Sequence, residues 1–350
     1  MIDLRSDTLT MPSTEMLSAI LTAPLGDAGR LDSSKRGCDP TTNALEDKAA
    51  EITGKDRSLL LSSGTLGNHV ALLTHCKPGD KVLIDTRQHL YRSEKAAFSE
   101  RFGQLVPVFY HLTSEGYPDA DEIASLIKSE KPALLCIENT HNNAGGTAIP
   151  LPVMECLYKL AHEEGIRIHL DGARLFNAAE ALGADAKTIC GYADSVMFCI
   201  SKGLGAPIGS LLCGDQPFII EAAETRKLLG GNMRQSGIIA AAGLYALEHN
   251  IPKLAEDHRR ATEMLKQLRA LRCIGVPENI QSNMILMDVA PLGLSADSFI
   301  KELKEKGVWV SNAGPSVVRI VLYNGISDED VRNAVNIIIN FESNCIARSQ

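Results

Sequence analysis

Short apolar segments alternate with helical patterns along the first 250 residues, and this alternation limits the folds open to the chain. The apolar segments are rich in Leu, Ile and Val and lie near Leu60 and at 81–85, 105–110, 133–138, 166–171, 195–201 and 210–214. Candidate helices between them span 65–76, 119–130, 152–164, 174–183 and 217–229. Segments that are apolar on both faces and separated by helices are typical of a mostly parallel sheet covered on both sides. We therefore predict one α/β domain over residues 1–250, with the N-terminal segment included.

The remainder of the chain has a different pattern. An amphipathic stretch at about 252–270 leads into an apolar strand at 283–289, a helix at 295–306, short strands at 309–311 and 317–323, and a helix at 327–341. This order predicts a smaller α+β domain over residues 251–350, with the boundary inside a connecting helix near residue 250.

Composition and charge exclude several classes of partner. The net charge of -8 argues against nucleic acid, because binding to a phosphate backbone depends on clustered Lys and Arg. The longest apolar run, Ile238 to Leu247, is far shorter than the roughly 18 residues of a membrane span. The polar N-terminus does not resemble a secretory signal, and the nine cysteines include no CxxC pair. We expect a cytoplasmic protein without a membrane partner, and no residue is assigned to a metal.

Lys202 follows an apolar strand and begins a turn that contains Gly203, Gly205 and Gly209. By itself it is compatible with a solvated loop residue. A lysine at a strand end in an apolar setting is also what Schiff-base chemistry requires, because desolvation lowers its pKa and supplies a neutral amine.

Asp171 ends another apolar strand and is followed by Gly172, Ala173 and Arg174. One interpretation is an Asp that caps the next helix beside an exposed Arg. The alternative is a carboxylate that pairs with a protonated pyridine nitrogen, as in enzymes that use pyridoxal phosphate (PLP). Ligands of open α/β sheets collect beyond the carboxyl ends of the strands, so Asp171 and Lys202 can converge on one ring.

The segment at 62–68, SSGTLGN, joins an apolar strand to a helical pattern. It is compatible with an ordinary turn whose Ser or Thr caps the helix. A helix N-terminus with small residues and a hydroxyl group is also a phosphate site. Neither GxxxxGK[ST] nor GxGxxG occurs in the chain, so this is not a Walker or dinucleotide loop.

Several segments together resemble the threonine aldolase family, a group of PLP-dependent fold-type I enzymes within the β-eliminating lyase superfamily. They are DLRSDT (3–8), DPTTNALE (39–46), SSGTLGN (62–68), the region of His89, IENTHN (137–142), HLDGARLFNA (169–178), SKGLGAPIGS (201–210) and RKLLGGNMRQ (226–235). The resemblance implies a large domain of the aspartate aminotransferase type with a mostly parallel sheet, a smaller C-terminal α+β domain, and PLP as the cofactor.

The resemblance also implies roles for single residues. Lys202 matches the lysine that carries the cofactor, Asp171 matches the partner of the pyridine nitrogen, and these two with His89 form the expected catalytic set. Ala173 and His89 match the groups on either side of the cofactor ring. The remaining matches are the phosphate turn (Ser63, Gly64 and Thr65), basic residues that reach a neighbouring active site (Lys227 and Arg234), and the clamp on the substrate carboxylate (Ser6, Arg174 and Arg319), with Arg174 also beside the cofactor.

The activity implied by the resemblance is retro-aldol cleavage of a β-hydroxy-α-amino acid of the L-threonine or L-allo-threonine type to glycine and an aldehyde. The expected enzyme is a homo-oligomer, a dimer or tetramer, with shared active sites. One alternative is β-elimination, dehydration or racemisation of a related β-substituted amino acid by the same Lys202 and Asp171. Another is a binding or regulatory protein that retains the fold without catalysis.

Two departures from the family pattern concern substrate specificity. The segment from Gly26 to Thr41 is longer than the usual loop, lacks its tyrosine, and has Cys38 where an acidic residue is common. The stretch from Ile127 to Leu135 lacks the second histidine that many members carry. Two interpretations of the long loop stay open, a solvated excursion and a cover over the active site that brings Arg30, Lys35 or Arg36 to the substrate side chain.

Overall fold

The computed structural model describes residues 1–349, which form two compact units. The larger unit runs from Met11 to Ile251, and the smaller unit combines Met1–Thr10 with the chain from Pro252 onward. The sequence pattern predicts that the N-terminal segment belongs to the large domain. The structure differs for the residues up to Thr10, because Ile2 and Asp3 pair as a parallel strand with Val308 and Trp309.

The strands are short. They are β1 (Ile2–Asp3), β2 (Asp27–Leu31), β3 (Gly37–Cys38), β4 (Arg57–Leu61), β5 (Lys81–Asp85), β6 (Val106–Tyr110), β7 (Leu134–Glu138), β8 (Arg167–Asp171), β9 (Ser195–Cys199), β10 (Ser210–Gly214), β11 (Met284–Asp288), β12 (Val308–Trp309), β13 (Ser311–Asn312) and β14 (Val317–Val321). Every apolar segment that the sequence predicts as a strand of the large domain is therefore a strand.

The helices of the larger unit are α1 (Thr14–Leu21), α2 (Pro40–Thr53), α3 (Gly64–His75), α4 (Ala120–Glu130), α5 (Leu151–Glu163), α6 (Leu175–Leu182), α7 (Ala186–Cys190), α8 (Gln216–Leu228) and α9 (Gly237–His249). Those of the smaller unit are α10 (Leu254–Leu268), α11 (Ala296–Glu305) and α12 (Asp328–Ser349). Among the described residues, none of these helices has both the length and the apolar character that crossing a membrane requires.

A seven-stranded sheet with the order β4-β10-β9-β8-β7-β5-β6 forms the centre of the larger unit. β9, β8, β7, β5 and β6 run parallel, whereas β10 is antiparallel to both of its neighbours. β10 reverses because only the turn from Ile200 to Gly209 connects it to β9, and a parallel partner needs a longer crossover. The mostly parallel sheet is the one that the sequence predicts.

Helices cover the sheet where the apolar strands lie. Every residue of β7, β9 and β10 is buried, which explains why their sequences are continuously apolar. α3 and α8 pack together over β4, β9 and β10, with Val70, Met197, Leu212 and Ile219 in the shared core. α3 is thereby held firmly against the centre of the sheet.

The smaller unit has its own core around a three-stranded antiparallel sheet of order β11-β14-β13. The predicted strand at 309–311 is divided in two, because the chain changes partner at Val310 and pairs first with β1 and then with β14. The last helix is longer than predicted and continues to Ser349.

The sequence predicts a boundary inside a connecting helix near residue 250, whereas the two units divide at a turn, between Ile251 and Pro252. α9 ends at His249 and α10 begins at Leu254, and a 3-10 turn over Ile251–Lys253 separates them. Pro252 lies in this turn, and its ring prevents a continuous helix.

Candidate active site

Charged side chains stand where the parallel strands of the large sheet end. Asp85, Glu138 and Asp171 are the last residues of β5, β7 and β8, and Lys202 follows β9. Glu138 and Asp171 are partners in the strand register. Because the carboxyl ends of parallel strands meet at one edge of a sheet, these groups lie on the side where ligands bind in such folds.

Asp171 is almost completely buried, with 3% of its surface exposed. One carboxylate oxygen accepts a hydrogen bond from the Ala173 backbone N–H at 3.0 Å. The other accepts one from the Asn68 side-chain amide at 2.9 Å. The cap position of the next helix is occupied by Arg174, which makes no side-chain cap. Asp171 therefore does not cap that helix, and its carboxylate is held by the Ala173 N–H and the Asn68 amide.

The electrostatics around Asp171 are unusual for a carboxyl group. Burial, followed by the charges of Glu138 and Glu94, raises its pKa to about 6. The positive charges of Lys202 and His89 act in the opposite direction. A buried carboxyl with a raised pKa is favourable for pairing with a proton donor of a ligand.

Lys202 lies at the start of the turn that links β9 to β10. The Gly205 N–H donates to the Lys202 carbonyl at 2.8 Å and closes the turn. Gly205 and Gly209 have φ angles of 78° and 116°, which residues other than glycine rarely adopt. The lysine is half-buried, so the alternative of a freely solvated loop residue does not describe it.

The N-terminus of α3 has the geometry of an anion site. Ser63 is the cap residue, and its hydroxyl accepts from the Leu66 N–H at 3.1 Å. The first N–H groups of the helix, at Gly64 and Thr65, have no acceptor within it. A Cβ atom at Gly64 would lie 2.8 Å from the Cys199 sulfur, so glycine lets the helix start close to β9. Such a terminus favours a phosphate group.

His89 lies on the segment after β5, and 42% of its side chain is exposed. Its backbone N–H donates to the Glu138 carboxylate at 2.8 Å, and its ring Nδ1 lies 3.1 Å from the Glu94 carboxylate. The hydrogen bond to Glu94 raises the pKa of His89 above its ordinary value. Because Nδ1 faces a carboxylate, it carries the proton in the neutral ring, and Nε2 remains free to accept one.

Arg174 is buried, so it is not the exposed arginine of the alternative in which Asp171 only caps the next helix. It is 6% exposed, and its Nη1 donates to the Asn142 side-chain oxygen at 3.0 Å. The Asn142 N–H in turn donates to Glu138 at 2.8 Å. The guanidinium is thus held beside the strand ends by β7 and the loop that follows it.

Ser6 and Arg319 lie in the smaller unit. The Ser6 hydroxyl caps a 3-10 turn by accepting from the Thr8 N–H at 3.1 Å. Arg319 is on β14, and its Nη2 donates to the Arg5 carbonyl at 3.5 Å. Both residues are half-buried, and their role toward a substrate carboxylate stays a prediction.

Lys227 and Arg234 are exposed on the surface of the larger unit. Arg234 is 3.4 Å from Asp27, with 70% of its side chain exposed. A contact of either residue with a neighbouring active site stays a prediction.

The long segment from Gly26 to Thr41 forms a hairpin of β2 and β3 followed by the start of α2. Arg36 is paired with Asp47 at 2.6 Å. Arg30 is 82% exposed and Lys35 lies at the tip of the hairpin. A role of the hairpin in specificity stays a prediction.

The site contains four polar residues to which the sequence motifs assign no role. They are Asn68, Glu94, Glu138 and Asn142. Asn68, Glu138 and Asn142 lie inside the motif segments at 62–68 and 137–142, so the motifs could have pointed to them. Glu94 lies outside, and only its position five residues after His89 connects it with the site.

Comparison with known proteins identifies the family. Residues 3–290 match the model described as beta-eliminating lyase. The chain is 40% identical over 336 residues to the low specificity L-threonine aldolase of Escherichia coli strain K12, covering 95% of this chain and 96% of that protein. It is 37% identical to low-specificity L-threonine aldolase 1 of Arabidopsis thaliana, covering 94% of this chain and 93% of that protein. The chain therefore belongs to the beta-eliminating lyase family, and within it to the threonine aldolases.

A solved structure supports the fold independently. The threonine aldolase of Leishmania major matches with a TM-score of 0.79 at 19% identity, covering 97% of this chain and 99% of that one. The predicted family and the predicted fold class, that of the PLP-dependent fold-type I enzymes, are confirmed.

The contact between His89 and Glu94 generates a prediction about protonation. In the wild type, the pKa of His89 should lie above its ordinary value of 6.5. Glu94→Gln removes the negative charge that stabilises the imidazolium, so it should lower this pKa. The pKa is measured from the imidazole resonances of histidine-labelled protein as a function of pH.

The matched control is Glu100→Gln, which neutralises an exposed carboxylate in the same segment and should leave the His89 titration unchanged. An identical pKa in wild type and Glu94→Gln would show that the carboxylate does not control His89.

Proposed function

We propose that the protein is a PLP-dependent aldehyde-lyase that cleaves β-hydroxy-α-amino acids of the L-threonine and L-allo-threonine type to glycine and an aldehyde. The observation that carries this proposal is the convergence of Lys202, Asp171 and the N-terminus of α3 at one edge of the sheet. The high identity to enzymes named low-specificity L-threonine aldolases, over nearly the whole chain, supports the same conclusion.

The residues present fit PLP by their chemistry. The cofactor has an aldehyde, a pyridine nitrogen and a phosphate group. Lys202 supplies an amine for the aldehyde, and buried Asp171 supplies a carboxylate for the protonated nitrogen. Ser63, Gly64 and Thr65 supply a capped helix start for the phosphate. His89 and Ala173 would lie on either side of the ring, as the motif matches imply.

When bound, PLP draws electron density away from the α-carbon of an attached amino acid and so weakens the bonds at that carbon. Asp171 would hold a negative charge beside the protonated ring nitrogen. Arg174, whose fork is fixed by Asn142, is oriented to bind the substrate carboxylate. The assignment of Ser6 and Arg319 to substrate binding rests on the sequence motifs alone.

His89 is the candidate base for the β-hydroxyl proton, either directly or through a water molecule. Glu94 holds the proton of the neutral ring on Nδ1, so Nε2 is the atom that accepts. The base must be neutral to act, and its pKa is raised by Glu94. Cleavage should therefore increase as the pH rises through the pKa of His89.

The reaction type is tested by measuring four products separately. Purified enzyme with PLP is incubated with L-threonine, L-allo-threonine, phenylserine and 3-hydroxyaspartate, and glycine, aldehyde, ammonia and α-keto acid are quantified. We expect equal amounts of glycine and aldehyde. Lys202→Ala, the matched control, should form neither while keeping its fold.

Other outcomes of this assay would support other functions. Ammonia with an α-keto acid would indicate β-elimination or dehydration. Inversion at the α-carbon without any of the four products would indicate racemisation. A wild-type protein that takes up no PLP would indicate a binding or regulatory role.

We also propose that the enzyme is a homo-oligomer in which Lys227 or Arg234 reaches the phosphate or active site of a neighbouring subunit. The exposure of both residues in the single chain supports this, since a charged group that completes another subunit's site must face outward.

We propose a cytoplasmic location, because free cysteines are typical of a reducing compartment. All nine cysteines are free, and Cys76, Cys136, Cys190, Cys199 and Cys213 are also buried.

Subunit sharing is tested with two inactive variants, Lys202→Ala and Arg234→Ala. If Arg234 acts across an interface, each active site needs Lys202 from one subunit and Arg234 from the other. A hybrid dimer with one subunit of each variant then contains one intact site. A 1:1 mixture that reassociates randomly as dimers should recover about a quarter of wild-type activity. No recovery after subunit exchange, or a fully active monomer, would refute the shared site.

A further inference from the structure

A chain of buried polar side chains leads away from Asp171 into the larger unit. It starts at the Asn68 amide, which donates to Asp171 at 2.9 Å. The Asn68 oxygen lies 3.1 Å from His169 Nε2, and His169 Nδ1 lies 2.9 Å from the Ser195 hydroxyl. Ser195 lies 2.8 Å from His75 Nε2. We call these four side chains the buried relay: Asn68, His169, Ser195 and His75.

The relay is built into the centre of the fold. His169 and Ser195 are fully buried register partners on β8 and β9, and Asn68 is fully buried on α3. His75 is the last residue of α3, is half-buried, and stacks on Phe218 at a centroid distance of 4.4 Å. Most buried polar groups in proteins are hydrogen-bonded, and each link of the relay is a hydrogen bond of this kind.

The direction of every hydrogen bond follows from the two carboxylates beside Asn68. The Asn68 nitrogen faces Asp171 at 2.9 Å and both oxygens of Glu94 at 3.2 Å. Ionised carboxylates only accept, so this atom must be the nitrogen of the amide. The Asn68 oxygen then faces His169 and must accept, so His169 donates from Nε2.

The remaining two bonds have only one arrangement. Burial, followed by the charge of His75, lowers the pKa of His169 to about 3, although a contact with the Ser195 backbone acts in the opposite direction. The ring is therefore neutral, and because its one proton is on Nε2, facing Asn68, Nδ1 is an acceptor. Ser195 therefore donates to His169, and its hydroxyl accepts from Nε2 of His75. Burial lowers the pKa of His75 to about 4, so this ring is neutral as well. All four donors point toward Asp171.

We propose that the buried relay is a positioning device that keeps the Asp171 carboxylate ionised and fixed in orientation toward the cofactor ring. Hydrogen bonds that run in one direction polarise one another, so the amide that donates to Asp171 is a stronger donor than an isolated one. This opposes the effect of burial, which favours the neutral carboxyl. The inference rests on the proposed role of Asp171 as partner of the pyridine nitrogen.

Ser195→Ala tests the relay by removing its central hydroxyl and no other atom. The matched control is Ser58→Ala. Ser58 is also buried, lies on β4 of the same sheet, and donates to the Glu46 carbonyl at 2.7 Å outside the relay. Ser195→Ala loses the hydrogen bonds to His169 and His75, and Ser58→Ala loses the one to Glu46, so both variants should lose thermal stability, Ser195→Ala the more.

Only Ser195→Ala should affect the cofactor site. We expect the dissociation constant of PLP to increase severalfold and kcat to fall by about tenfold, with KM for threonine within about twofold of wild type. In an Asp171→Asn background, Ser195→Ala should not weaken PLP binding further, because the relay then has no carboxylate to hold. Equal PLP affinity and equal kcat in Ser195→Ala and Ser58→Ala would overturn the proposal.

A second measurement is independent of turnover and of variants. Nitrogen-15 spectra of histidine-labelled wild-type enzyme report which ring nitrogen carries the proton. We expect His169 and His75 to be neutral with the proton on Nε2 between about pH 6 and 9. A proton on Nδ1 of His169 would overturn the relay. Failure of the proposed function would appear differently, as a wild-type enzyme that forms no glycine.

Discussion

The Asp171 carboxyl is removed from water at the end of a strand, and its surroundings have to compensate for the charge. An unpaired buried charge costs several kcal/mol in folding free energy, so it persists only with donors and a counter-charge. Ala173 and Asn68 provide the donors, and Lys202 provides a positive charge. These groups come from the loop after β8, from α3 and from the turn after β9. The packing of these three elements is therefore what makes the site possible.

α3 contributes to the site along its whole length. Gly64 opens the helix at the candidate phosphate site, Asn68 donates to Asp171 one turn later, and His75 ends the relay at the other end of the helix. Residues at this spacing lie on one side of a helix, so a single element connects Asp171 with the proposed phosphate site. Its packing over β9 and β10 holds both at a fixed distance from Lys202.

Much of this could be predicted from the sequence, for a physical reason. Buried parallel strands are continuously apolar and are separated by helices, so the strands that end in Glu138 and Asp171 were recognisable. The carboxyl ends of such strands meet at one edge, which brings Asp171 and Lys202 together. The motif segments then identified the family.

Other features depend on partners that are distant in the sequence. The residues before Thr10 join the smaller unit through a strand partner more than 300 residues away. Arg36 in the hairpin at 26–41 pairs with Asp47, which lies beyond the hairpin on α2. Glu94 enters the site because a turn after β5 brings it to Asn68 and His89. No local pattern predicts such contacts.

The most direct test of the account is the substitution Asp171→Asn, which keeps the shape of the side chain and removes its charge. The kcat for threonine cleavage and the absorption spectrum of bound PLP are measured beside the melting temperature. We predict that kcat falls at least about a thousandfold and that the spectrum changes, because the site loses the charge that pairs with the ring nitrogen, while the melting temperature changes little. Turnover near that of the wild type with an unchanged spectrum would contradict the account.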